Sequence, residues 1–295
     1  MHGRHLARAA NLIDKVDSQI IARQVAAALS EDVGKGDVTA ALVPSAQQVR
    51  AHVVAREPAV LCGTGWVTET FRQLDAGTRL EWLAQDGELI AADMTLLRIA
   101  GPARAILTGE RTALNFLQTL SATATAARRY VEAVAGTACR ILDTRKTIPG
   151  LRLAQKYAVR CGGAQNLRLG LYDMVLVKEN HIIAAGSIAT AVAAARRTSP
   201  GVPVEVEVES LSEFDQALAA GADIVMLDEL PLDDMRTAVT RNRERGSKSK
   251  LEASGGVTLA TVREIALTGV DYISVGSITK HVQAVDLSMR FDFVA

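Results

Sequence analysis

From Cys139 to Ser277 the chain repeats one pattern: a short β-rich run that ends in a charged or glycine-rich cluster. The runs are CRILDTRK (Cys139–Lys146), DMVLVKEN (Asp173–Asn180), PVEVEVES (Pro203–Ser210), DIVMLDEL (Asp223–Leu230), KLEASGG (Lys250–Gly256) and DYISVGS (Asp271–Ser277). They recur roughly every 20 to 35 residues, which leaves space for one helix between consecutive strands. Strand, charged tip and helix in repetition specify an α/β fold built on a parallel β/α barrel, with its site at the carboxyl ends of the strands. Those tips carry cations (Arg145, Lys146, Lys178), carboxylates (Glu207, Asp228) and glycines (Gly255, Gly256, Gly276). Such a set suits an anionic, phosphorylated substrate accompanied by a metal.

The part before Arg145 has a different grammar. A helix is predicted over 17–29, strands over 49–56 and 59–62, a helix over 66–74, and extended pieces at 80–84 and 95–99. Glycines at 63, 65, 77, 87 and 101 punctuate them, and the irregular order reads as a separate α+β domain. Two helices, 105–119 and 122–135, lead into the barrel. Alternating apolar residues at the end of the chain (Met289, Phe291, Phe293) suggest a strand that pairs back onto the first domain. The predicted division is an amino-terminal domain over 1–118, a barrel over 119–283 and a returning tail over 284–295.

Composition narrows the function classes. At 295 residues and 48% hydrophobic, the chain can bury a large core. The formal charge is zero, and the basic cluster Arg241–Arg245 is interrupted by Glu244, so a nucleic-acid face is not expected. Three cysteines with no CxxC spacing fit a reducing compartment and argue against a disulfide frame or a zinc cage. MHGRHLARAA has no apolar signal core. The uncharged stretch 182–195 is shorter than the roughly 20 residues a membrane span needs. It reads instead as a helix capped by Ser187 and ended before Pro200. A cytoplasmic protein without a membrane partner is the expectation.

The tips reward closer reading. In Val204–Glu209, period two puts valines on one face and carboxylates on the other. In a surface hairpin the acids would meet water; in a barrel they would point into the lumen and need Lys, Arg or a metal beside them. Lys178 ends the apolar run 174–177, a strand buried on both faces. It could form a Schiff base or remain a charged phosphate ligand, and the acids at Glu205, Glu207 and Asp228 favour the charged form. Ser254-Gly255-Gly256 and Gly276-Ser277 each precede a predicted helix (259–267 and 278–283), where exposed N–H groups bind phosphate. Asp143–Gly150 sets Arg145 and Lys146 on a loop closed by Pro-Gly. As a carboxylate clamp, Arg145 would contribute about 1.5–3 kcal/mol. On spacing alone, a structural loop fits equally well.

Taken together, DTRKTIPG, KYAVRCGG, LVKENHI, VEVEVES, VMLDEL, SGGV and GVDYISVGSITKH resemble quinolinate phosphoribosyltransferases. So do LSED with GDVT, GERTALN and the closing DLSMRF. The resemblance runs through most of the chain. It implies an open α/β barrel after a sandwich domain, working as a homodimer or larger assembly. It also implies phosphoribosyl transfer from phosphoribosyl pyrophosphate to quinolinate with Mg²⁺, giving nicotinate mononucleotide, pyrophosphate and CO₂ in NAD biosynthesis. By matching position, Arg145 and Arg168 would hold the quinolinate carboxylates, with Arg111 entering from the neighbouring subunit. Lys146 and Lys178 would neutralise pyrophosphate or carboxylate. Glu207 and Asp228 would hold the ribose hydroxyls and hydrated Mg²⁺. Ser254, Gly255, Gly256, Gly276 and Ser277 would cradle the 5′-phosphate, with Lys280 or His281 nearby.

One departure stands out. Many members have His between Asn166 and Arg168, where this chain has Leu167, which donates no hydrogen bond. Such a loss costs about 1–3 kcal/mol of substrate binding. His181 reads as a structural contact rather than a replacement. The competing readings are a salvage enzyme preferring the monocarboxylate nicotinate, a Schiff-base aldolase using Lys178, and a phosphosugar-binding protein without catalysis.

Overall fold

The computed structural model describes residues 16–293. The amino-terminal segment MHGRHLARAA lies outside the described residues. Internal contacts divide the chain into two compact units. Of the described residues, one comprises those up to Arg128 with Thr147–Gly163 and the stretch from Ile278 onward; the other comprises Arg129–Lys146 and Ala164–Ser277. Residues 119–128, 147–163 and 278–283, inside the stretch assigned to the barrel from sequence, therefore sort with the first unit.

In the first unit, four strands form an antiparallel sheet: β1 (Gln48–Ala55), β3 (Arg79–Trp82), β5 (Thr95–Pro102) and β12 (Leu287–Phe293), in the order β12-β1-β5-β3. β2 (Ala59–Val60) and β4 (Leu89–Ile90) form a separate pair. The register from Val49↔Phe293 to Ala55↔Leu287 brings Leu287 and Met289 into the same core as Val49, Ala51 and Val53. Helices α1 (Ser18–Val33) and α2 (Thr64–Leu74) belong to this unit. Asp17 caps α1 by accepting from the Gln19 amide at 2.8 Å. Phe71 of α2 is fully buried, a contribution of about 1.5–3 kcal/mol.

The two helices expected between 105 and 135 are one, α3 (Ala103–Ala133). Ser121, Thr123 and Thr125 look like a break, but no Gly or Pro enforces one. The Thr125 hydroxyl bonds back to the Ser121 carbonyl at 2.7 Å, inside the helix. Ser121 is buried and spends its hydroxyl on Cys62, accepting from that amide at 2.9 Å and donating to its carbonyl at 3.1 Å. Helix α4 (Arg152–Cys161) contributes Ala154 and Ala158 to the cluster that holds Trp66 and Phe116. At Gly162 an added Cβ would stand 2.3 Å from the Ala124 carbonyl oxygen, so only glycine allows this approach to α3.

The second unit is an open parallel β/α barrel. Its strands are β6 (Arg140–Leu142), β7 (Val175–Val177), β8 (Val204–Val208), β9 (Ile224–Asp228), β10 (Lys250–Ser254) and β11 (Tyr272–Ser274). They lie in the order β6-β11-β10-β9-β8-β7, so β6 and β7 are edges and the sheet does not close. Helices α5 (Glu179–Ala185), α6 (Ile188–Thr198), α7 (Leu211–Ala219), α8 (Leu232–Glu244) and α9 (Val262–Leu267) alternate with the strands. The helix expected behind Ser187 and before Pro200 is α6, with Ser187 accepting from the Thr190 amide at 3.1 Å; the residues before it form the separate α5, which ends at Gly186 with φ +87°. α9 starts later than expected, because Thr258–Thr261 closes a turn first. The last short helix, α10, spans Ser277–Lys280. Among the described residues, no helix is long and apolar enough to cross a membrane, and all three cysteines are free thiols.

Candidate active site

The carboxyl ends of the barrel strands surround a cavity of about 550 Å³. Each tip delivers its own chemistry there, because period two in β8 and β9 turns alternate side chains inward while the valines between them pack outward. Glu207 and Asp228 reach the cavity in this way, and Lys178 follows the end of β7. Arg145, Lys146, Arg168, Ser254, Gly255 and Gly256 complete the predicted residues that line it.

The Arg168 loop is pinned at both ends. Asp143, fully buried just beyond β6, accepts from Asn166 Nδ2 at 2.6 Å and from the Leu167 amide at 3.0 Å. Asp173 accepts from the Leu169 and Gly170 amides at 2.7 and 3.1 Å. Burial and the neighbouring Arg145 charge both pull the Arg168 pKa down, opposed by Glu205, Asp173 and Glu252. Lys178 caps α5, and its amide donates to His181 Nδ1 at 3.0 Å, which gives that histidine its structural task. The Lys178 ammonium is ion-paired with Glu207. Asp228 has its carboxyl pushed up by partial burial and then by the negative charges of Glu207 and Glu229; Lys178 and Lys146 act against that shift.

The glycine tips are shaped by contact. Gly255 has φ +87°, and an added Cβ would meet Glu229 Cγ at 2.2 Å and Asp228 Oδ1 at 3.1 Å. Glu229 itself sits at φ +54°, a strained conformation for a residue with a side chain, and its amide donates to the Ser254 carbonyl at 3.0 Å. Gly276 lies against Lys146, whose Cδ would be 2.9 Å from a Cβ there. Ser277 shares a hydrogen bond of 3.2 Å with the Tyr130 hydroxyl. Neither Gly276 nor Ser277 lines the cavity itself. Arg111 is exposed on α3, and Lys280 ends α10; both group with the first unit and are absent from the cavity wall.

Several residues escaped the sequence reading. Leu176 and Met226 line the cavity beside Leu167 and make an apolar patch among the charges. Thr144, Ser274 and Glu229 line it too. Below Glu207 on the same strand face, Glu205 is fully buried, and so is Glu252 on β10. None of their four carboxylate oxygens has a backbone N–H or cationic group in hydrogen-bond geometry. Burial raises both carboxyl groups, Glu205 well above the ordinary range, where the Glu252 charge adds to the effect, and Glu252 up to about 7. The strand alternation had already turned Glu205 toward the lumen, though without a role of its own; nothing in KLEASGG marks Glu252.

Fold and site define an α/β enzyme of the β/α-barrel type, with a cavity suited to a polyanionic, phosphorylated substrate. Comparison with known proteins is more specific. Residues 37–121 match the model of the quinolinate phosphoribosyl transferase N-terminal domain, and residues 123–290 that of the C-terminal domain. A "probable nicotinate-nucleotide pyrophosphorylase [carboxylating]" of Synechocystis is 43% identical over 263 residues, 89% of each chain. The nicotinate-nucleotide pyrophosphorylase [carboxylating] of Mycobacterium leprae is 41% identical over 89% of this chain and 94% of its own. The solved nicotinate-nucleotide pyrophosphorylase of Francisella tularensis superposes with a TM-score of 0.92 at 46% identity, covering 95% of this chain and 99% of that one. The chain belongs to the quinolinate phosphoribosyl transferase family.

Proposed function

We propose that this protein transfers the phosphoribosyl group of phosphoribosyl pyrophosphate to quinolinate, with loss of CO₂, to make nicotinate mononucleotide for NAD biosynthesis. The observation that carries the reading is one cavity, in a member of this family, where four cations (Arg145, Lys146, Arg168, Lys178) face two carboxylates (Glu207, Asp228) beside a glycine tip.

Arg145 and Arg168 take the two carboxylates of quinolinate, and the pyridine ring rests on Leu167, Leu176 and Met226. Ser254, Gly255 and Gly256, with Gly276 and Ser277 behind them, take the 5′-phosphate through backbone N–H groups. Lys280 or His281 would approach it. The pyridine nitrogen forms a bond to ribose C1 as the C1–oxygen bond to pyrophosphate breaks, the electron pair leaving with that oxygen. Lys146 and Lys178 neutralise the departing charge, while Glu207 and Asp228 face the cation-like sugar and its hydroxyls. The carboxyl group beside the ring nitrogen then leaves as CO₂. Its electron pair stays on the ring carbon, stabilised by the pyridinium, until a proton replaces it.

The donor set fits Mg²⁺ held through water. Glu207 and Asp228 stand on adjacent tips, and among the described residues no cluster of three or more His, Cys, Asp or Glu forms a protein cage for a metal ion. A cation that keeps most of its waters and binds mainly to substrate phosphates needs no more than that. When bound, it would add positive charge at the leaving group. The pairing of Lys178 with Glu207 favours a phosphate-binding cation over an imine-forming amine. We further propose that the enzyme is a cytoplasmic homodimer or larger assembly, with the exposed Arg111 completing a neighbouring subunit's site.

The test is incubation with quinolinate, phosphoribosyl pyrophosphate and Mg²⁺, with CO₂ release as the readout. No CO₂ from quinolinate, or faster turnover of nicotinate, overturns the reading. Arg145→Ala should raise the quinolinate KM roughly tenfold or more, the loss of one bidentate charge-assisted contact.

A further inference from the structure

Beneath the cavity lie two acids that the mechanism does not use. Glu205 stands one step below Glu207 on the inward face of β8. Glu252 lies in register with Met226, a cavity residue, and two positions before Ser254, another. Both are fully buried, and their oxygens meet only each other and the Ser274 hydroxyl, with no backbone N–H or cationic group in hydrogen-bond geometry. Two carboxyl groups in that setting cost the fold several kcal/mol each if charged, whereas amides or leucines of similar volume would cost less. Their presence therefore calls for a task other than stability.

The surroundings identify the task. Arg168 is the cation acting on both acids; the other groups facing them are Glu207, Asp143, Tyr272 and the Ser274 hydroxyl. Asp143 is already committed to Asn166 and the Leu167 amide. The Arg168 backbone is held by its loop, but among the described residues no hydrogen bond orients its guanidinium, and Arg145 repels it from the side. An attractive charge from below is what the arrangement supplies.

We propose that Glu252, together with Glu205, is a positioning residue: the two buried carboxyl groups share a negative charge that holds the Arg168 guanidinium in the attitude that receives a substrate carboxylate. This rests on the phosphoribosyl-transfer reading and assigns part of its quinolinate specificity. Glu252→Gln and the double variant Glu205→Gln/Glu252→Gln keep the volume and remove the charge. In the double variant the KM for quinolinate should rise about tenfold or more, the weight of a misaligned bidentate contact, with the KM for phosphoribosyl pyrophosphate within about twofold of wild type. The melting temperature should hold or rise.

A folded double variant whose quinolinate KM stays within about twofold of wild type overturns the proposal. So does an equal rise in both KM values, which is what a merely structural role produces. Should the double variant fail to fold, Glu252→Gln alone is judged by the same split between substrates. A wild-type protein that releases no CO₂ from quinolinate sinks the phosphoribosyl-transfer reading itself; an active wild type with unmoved variants sinks only the positioning role.

Discussion

Strands β1 and β8 alternate polar and apolar residues with the same period and meet opposite fates. In β1, Val49, Ala51 and Val53 enter the core while Arg50 is exposed and His52 half exposed. The polar face of that sheet is paired loosely in water, as with Arg98 and Glu81 at 3.3 Å, both more than 60% exposed. In β8 the valines are buried and the acids between them are withdrawn from water too, Glu205 completely and Glu207 in part. An antiparallel sheet can leave one face wet, whereas a barrel has helices outside and a lumen inside, so both faces of a strand are taken out of water. The same alternation is thus inert surface in one unit and site chemistry in the other.

The contrast can be tested in descending order of effect. Lys178→Ala removes a cavity cation and leaves Glu207 without its partner. It should lower kcat/KM for CO₂ release by about 100- to 1,000-fold, as when one preorganised charge contact is lost. Gly255→Ala forces a Cβ into Glu229 at a positive φ. Chemical denaturation should report a loss of roughly 2–4 kcal/mol, with a raised KM for phosphoribosyl pyrophosphate. A smaller effect on stability through pH belongs to Glu252. Its carboxyl is raised from 4.5 to about 7, so the folded state binds the extra proton between those values, and wild-type stability falls as pH rises through that window and then levels. Glu252→Gln has no such proton. Its stability relative to wild type should therefore grow from pH 5 to pH 8, by something on the order of 1–3 kcal/mol. Equal melting differences at the two pH values would refute this. Arg50→Ala, on the exposed face of β1, should change stability by no more than about 0.5 kcal/mol and leave turnover unchanged. A large loss there would break the comparison.

Much of the barrel was legible because its signals are local. Each run from CRILDTRK to DYISVGS carries a strand and its tip within eight residues or fewer, so Arg145, Lys146, Lys178, Glu207, Asp228 and Ser254–Gly256 could be named before any coordinates. Where the reading went astray, the deciding partner was distant. Ser121 looked like a helix break until Cys62, far away in sequence, took its hydroxyl. Glu252 went unnoticed because a lone acid among apolar neighbours resembles any edge-strand residue.

What the order of residues determined unaided is the kind of each element, the charge at each strand tip and the family to which the chain belongs. These depend on period, on turn chemistry and on short motifs, all of which act over a few neighbouring residues. What only the tertiary structure decided is which face of each alternating strand leaves water, how close Gly255 comes to Glu229, and that two acids on β8 and β10 are buried together within reach of the Arg168 charge. Burial and opposed charge are properties of residues brought together from far apart, and no local pattern encodes them.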